Sequence, residues 1–312
     1  MNTLRAAVAE YLTLRRGLGF KLQLPGAWLE QFVSFLEQRG ASYITTQLAL
    51  DWAKQPVDAQ AVYLTRRLST VCGFARYRAA SDPRTQVPSL GLLPHRFHRK
   101  APYIYSDDEI GRLIKAASRL PSTTGMRSRT YATLLGLLAV TGMRIGEVVA
   151  LDRDDVDLCE AVLTIRGTKF NKSRLVPVHA TTRRALKQYA DQRDRIQPRP
   201  RTASFFVGEH GCRLVKNSVE QTFVRLSREV GLRGPGDSRG PRVHDIRHRF
   251  AVTTMLRWYR AGVDVERHLP ELSTYLGHGH PTATYWYLSA VPELMRLAVA
   301  RLESPRTGGR RS

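Results

Sequence analysis

Four short segments of this chain concentrate side chains able to handle a phosphate. They are Thr141-Gly142-Met143-Arg144-Ile145-Gly146-Glu147, Thr168-Lys169-Phe170-Asn171-Lys172, His244-Asp245-Ile246-Arg247-His248, and Leu276-Gly277-His278-Gly279-His280-Pro281-Thr282-Ala283-Thr284-Tyr285-Trp286-Tyr287. The charge of a phosphodiester grows on its equatorial oxygens in the transition state. Two guanidinium groups, Arg144 and Arg247, could clamp those oxygens with paired hydrogen bonds. Preorganised donors of this kind are usually the largest catalytic contribution. His244 and Arg247 are three apart, so on a helix they share a face. His244 and His248 are four apart, a metal-ligand spacing, but no HExxH glutamate or nearby cysteine accompanies them. Metal-dependent nucleases hold their ion with clustered carboxylates, and these segments are cationic instead. The reading is a site that binds phosphate directly rather than through a metal. Taken alone, Tyr285-Trp286-Tyr287 reads as an aromatic core patch.

The elements that must position these residues follow from periodicity and punctuation. Residues 1–82 read as helices. Leu4, Val8, Tyr11 and Leu12 keep helical spacing up to Gly17 and Gly19. A second helix follows Pro25, a short third covers 48–54, and a fourth runs from about 58 to 80. The fourth mixes Leu64, Leu68, Val71 and Phe74 with Arg66, Arg67, Arg76 and Arg78, a pattern suited to a DNA backbone or to a solvated face. Pro83, Pro88, Pro94 and Pro102, with a basic run over 95–100, mark residues 83–102 as an interdomain linker. Ser106 and Glu109 then have capping-box spacing. Residues 103–312 read as a mixed domain. An apolar helix over 131–141 meets Gly142, and a short helix carries Arg144 to Ala150. Strand-like runs over 161–165 and 174–178 are joined by a polar, basic tip, and helices follow. The fold class expected is mainly α with a small antiparallel β-sheet.

Composition limits the partners. The 312 residues carry a net charge of +22, with fourteen Lys/Arg against six Asp/Glu in residues 1–102. A charge spread over two domains suits a polyanion gripped from two sides. Cys72, Cys159 and Cys212 show no CxxC spacing, which argues against a zinc site or a disulfide framework and fits a reduced, cytoplasmic setting. No apolar run approaches membrane-spanning length, and the N-terminus opens an amphipathic pattern rather than a signal peptide.

The four segments together resemble the tyrosine recombinases, the phage integrase family, over about residues 103–295. The resemblance implies an N-terminal helical core-binding domain, a mixed α/β catalytic domain, and no metal or nucleotide cofactor. It places the first catalytic arginine at Arg144, the catalytic lysine at Lys169, the HxxR box at His244 and Arg247, and the histidine of the LGH motif at His278. The nucleophilic tyrosine commonly lies nine residues after that histidine, here Tyr287. Tyr287 would then attack the scissile phosphate to give a 3′-phosphotyrosyl link. Arg144 and Arg247 would stabilise charge, Lys169 would protonate the departing 5′ oxygen, His244 would assist proton transfer from the tyrosine, and His278 would donate to a phosphate oxygen.

Tyr285 is the rival nucleophile and Lys172 the rival lysine. Glu147 is expected to orient neighbouring groups or to cap locally. Trp258, Tyr259 and Trp286 are expected to pack, and His280 to face solvent. The implied partner is double-stranded DNA, cut and rejoined by a homotetramer for a mobile element or phage, with or without companion recombinases. Residues 292–300 form an amphipathic pattern expected to dock on a neighbouring subunit. The short N-terminal region favours a recombinase without an extra arm-binding domain. The competing readings are a type IB topoisomerase-like or DNA-end-resolving enzyme with the same chemistry, and a non-catalytic DNA-binding protein of this fold.

Overall fold

The structure, a computed structural model, describes residues 3–93, 101–167, 173–277, 280 and 282–303. These fall into two compact units, one up to residue 93 and one from residue 101.

The first unit packs helices α1 (Leu4–Gly17), α2 (Gln23–Gln38), α3 (Thr46–Lys54) and α4 (Ala61–Ala79). Thr3 and Thr45 cap the first and third through their hydroxyls. Phe32, Leu36, Trp52, Val71 and Phe74 form the centre of a shared core. Not every arginine of α4 faces outward. Arg66 and Arg76 are exposed, but Arg67 is buried. Its guanidinium lies 3.7 Å above the Trp52 ring and donates to the Trp52 carbonyl at 2.9 Å. The proline-rich stretch from residue 83, expected to be linker, continues this unit up to residue 93. Gln86 donates its backbone N–H to Ile44, the Pro88 carbonyl accepts from Cys72 Sγ, and Leu93 joins the core.

The second unit opens with α5 (Asp107–Ala117), started by the Ser106–Glu109 capping box. Then come α6 (Met126–Thr141) and α7 (Ile145–Ala150). Strands β1 (Val156–Asp157), β2 (Val162–Ile165) and β3 (Arg174–Pro177) form an antiparallel sheet in the order β1-β2-β3. Val162 pairs with Pro177 and Ile165 with Arg174, which sets the register of the expected hairpin. Its expected tip, with Lys169 and Lys172, lies outside the described residues. Helices α8 (Ala180–Ile196), α9 (Lys216–Glu229), α10 (Asp245–Arg260), α11 (Val265–Leu276), α12 (Thr282–Ala290) and α13 (Pro292–Glu303) follow. The large core gathers α5, α6, the sheet, α8 and α9 around Leu134, Val148, Leu163, Val176 and Phe223. A second cluster joins α10 to α13 through Val252, Met255, Leu272, Leu276, Tyr287 and Leu294. Helix α13 therefore packs in part on its own chain, where Arg260 also pairs with Glu293 at 2.7 Å. No helix among the described residues is long and apolar enough to cross a membrane.

Candidate active site

Two left-handed glycine turns build the site. Gly142 (φ +61°) ends α6, and its N–H bonds the Leu138 carbonyl at 3.0 Å. A Cβ here would lie 2.5 Å from the Phe250 ring, so the position takes only glycine without a shift. Gly277 (φ +66°) ends α11 in the same manner. Each turn presents carbonyl oxygens to an arginine from a distant segment. Arg247 donates to the Gly142 carbonyl at 2.9 Å and to the Leu276 carbonyl at 2.6 Å. Arg144 donates to the Gly277 carbonyl at 2.8 Å. The two arginines, 103 positions apart in sequence, are thereby tied to one turn.

Glu147 holds the arrangement together. Its carboxylate accepts from the Arg144 backbone N–H at 2.9 Å, from Arg144 Nη1 at 2.8 Å, and from both Nη1 (3.1 Å) and Nη2 (2.7 Å) of Arg174. Burial alone would raise its pKa. The bonds from Arg174 and Arg144 overcome that and hold it near 2. Arg174 also donates from Nε to the Tyr275 carbonyl at 2.8 Å, fastening the base of the β2–β3 hairpin to the end of α11.

His244 stands immediately before α10. Much of the residue's surface is open, yet its imidazole is crowded by protein and by cations. Burial first, then the charge of Arg247, lower its pKa to about 4, against an opposing contribution from Asp245. It is a neutral ring at pH 7. Burial, and then the nearby charge of Arg144, likewise lower the Arg247 pKa to about 10, which leaves it cationic at neutral pH.

Tyr287 and Tyr285 point apart along α12. Tyr285 is 45 % exposed, whereas Tyr287 is 1 % exposed and belongs to the α10–α13 core. The ring of Tyr287 thus occupies the core position that the aromatic run alone suggests. Its hydroxyl lies 2.7 Å from Nδ1 of His248. Trp286 also packs near His248, with ring centroids 5.8 Å apart. Lys169 and His278 lie outside the described residues; His280 is exposed.

Arg174 and His248 were not singled out from sequence as site residues, although both carried a signal. Arg174 stands two residues before the buried Val176 on β3, on the same face, so it points inward and requires a carboxylate partner. His248 shares a helix face with Ala251, Val252 and Met255, which makes it a buried histidine in need of a hydrogen bond.

A model described as the phage integrase family matches residues 104–293. The chain is 50 % identical over 307 residues to the putative integrase/recombinase y4rB of Sinorhizobium fredii, covering 97 % of this chain and 98 % of that one. The chain belongs to the phage integrase family. It is a tyrosine recombinase. It is also 30 % identical over 224 residues to the tyrosine recombinase XerC of Chlamydia caviae, covering 72 % of this chain and 66 % of the relative. Solved structures share the recombinase fold. The Tn1549 transposon integrase in complex with transposon right end DNA gives a TM-score of 0.67 at 15 % identity, over 97 % of this chain and all of that one. The XerH site-specific recombinase bound to its palindromic difH substrate gives 0.64 at 17 % identity, over 89 % and 79 %.

Proposed function

We propose that this recombinase cuts and rejoins specific DNA sites for a mobile element or phage, with Tyr287 as the attacking group and Arg144 and Arg247 as the phosphate clamp. The observation that carries this reading is the pair of arginines from distant segments fixed to the turn at Leu276 and Gly277, five residues before the helix that bears Tyr287. Tyr287 Oη forms a bond to phosphorus as the bond from phosphorus to the 5′ oxygen breaks. The product is a 3′-phosphotyrosyl link that a second 5′ hydroxyl can reverse. The clamp stabilises the charge that develops on the phosphate. Neutral His244 beside the arginines is suited to hydrogen-bond a phosphate oxygen or to move a proton there. Lys169 as donor to the leaving oxygen and His278 as donor to the phosphate complete the set on the strength of their motifs.

The net charge of +22 supports duplex DNA as the partner. Two duplexes exchanging strands call for a homotetramer, with or without companion recombinases. The free cysteines fit action in the cytoplasm.

The test is a suicide duplex nicked beside the cleavage position, so that the released fragment diffuses away. Wild-type protein and Tyr285→Phe should both trap a covalent adduct, and Tyr287→Phe should not. Arg247→Ala should lower the trapping rate by roughly 10²–10³-fold. An adduct that survives Tyr287→Phe but is lost in Tyr285→Phe would move the nucleophile. Strand exchange between two duplexes, rather than relaxation of one, separates a recombinase from a topoisomerase-like enzyme.

A further inference from the structure

We propose that His248 is the base that receives the Tyr287 proton. The inference rests on Tyr287 being the attacking group. The hydroxyl of Tyr287 meets Nδ1 of His248 at 2.7 Å, with the ring centroids 5.5 Å apart. Both side chains are buried, so this hydrogen bond forms away from bulk water. On the far side of the imidazole, Nε2 lies 3.9 Å from Asp245 Oδ1. Asp245 is itself buried and fixed by Arg242, which donates its backbone N–H at 2.8 Å and Nη2 at 2.9 Å. Hydroxyl, imidazole and carboxylate thus follow one another, with the carboxylate near the ring but beyond hydrogen-bond distance of it. This is the order in which a base is matched to a nucleophile and oriented by a third group.

The chemistry sets the direction of the bond. A phenol donates more readily than a neutral imidazole, so in the proposed tautomer the ring proton sits on Nε2, on the side of Asp245, and Nδ1 accepts. As Tyr287 Oη bonds to phosphorus, its proton passes to Nδ1 and the resulting imidazolium faces the Asp245 carboxylate. The departing 5′ oxygen takes its proton from Lys169 on the reading given above. In rejoining, His248 returns the proton to the phenolate as the phosphorus–tyrosine bond breaks.

His244 is placed for different work. The charges felt by its ring include those of Arg247 and Arg144, the two arginines of the proposed phosphate clamp. The two histidines lie edge to face, with centroids 4.9 Å apart. The first serves the phosphate and the second the phenol. A purely structural histidine, satisfied by a core tyrosine, would show a similar bond, so the test must separate the two.

His248→Asn retains a polar acceptor near the Nδ1 position but cannot carry a proton. On the nicked duplex it should lower adduct formation by roughly 10²-fold or more, within the usual range for loss of general base catalysis. The same substitution is then placed in a Tyr287→Phe background, with hydrogen peroxide supplied as the nucleophile. Peroxide attacks the clamped phosphate without the phenol, so this cleavage should change by less than about threefold if His248 acts through Tyr287. Adduct formation by His248→Asn within about threefold of wild type overturns the proposal. So does a peroxide reaction that falls in parallel, because the loss would then come from a damaged site. An adduct that persists in Tyr287→Phe sinks the nucleophile assignment itself and is told apart by that variant alone.

Discussion

Glu147 ties two arginines of the site together. It neutralises two guanidiniums while being largely buried itself. Removing one partner of such a pair leaves uncompensated buried charge. Glu147→Gln should therefore cost about 3 kcal/mol in urea unfolding at pH 7. The pH dependence has a definite sign. A carboxyl whose folded pKa lies near 2 against an ordinary 4.5 contributes stability that is fully present above pH 4.5. The gap between wild type and variant should close as pH falls from 4.5 toward 2. His244 behaves in the opposite chemical sense. Its charged form is disfavoured on folding, so stability is lost as pH falls from 6.5 toward 4, where the unfolded chain binds the extra proton. The histidine NMR signal removed by His244→Gln should titrate near pH 4, not near 6.5. A midpoint at the ordinary histidine value would show that the ring is open to water.

At the scale of elements, the site depends on where helices stop. Gly142 ends α6 and presents its carbonyl to Arg247, and the left-handed turn leads directly into Arg144. Gly142→Ala meets both an unfavourable φ and the Phe250 ring. It should lower stability by roughly 1–3 kcal/mol, of which about 1 comes from the backbone alone. Adduct formation should fall further than melting temperature implies, because the displaced carbonyl orients Arg247. Unimpaired trapping by the Gly142→Ala variant would show that the turn does not set the clamp.

Much of this layer was legible beforehand. Gly142 is a helix-ending glycine in the sequence, and the strand pair follows from two strand-like runs joined by a polar, basic tip; that Gly277 ends a helix in the same manner is visible only in the structure. The sequence does not disclose contacts that close over long separations. The register of Arg174 against Glu147, the inward turn of Arg67 over the Trp52 ring, and the approach of His248 to Tyr287 are set by tertiary packing. Local patterning cannot specify such contacts. The short β1 escaped notice because two residues carry no periodicity.

For the whole molecule, charge decides how DNA is met. A basic chain that neutralises about six phosphates should lose on the order of 10³-fold in affinity between about 50 and 200 mM salt. Fluorescence anisotropy with a labelled duplex measures the slope, and a flat response would mean that the +22 charge does not face the DNA. The carbonyl oxygens of the two glycine turns bear on the same encounter. Arg144 and Arg247 are like charges held close, and Glu147 and three backbone oxygens stabilise them before any phosphate arrives. The cost of gathering them is therefore met as the chain folds. On the function proposed above, a molecule searching DNA tests each site with its arginine pair already assembled, and its residence at a wrong sequence need not include time spent gathering that pair.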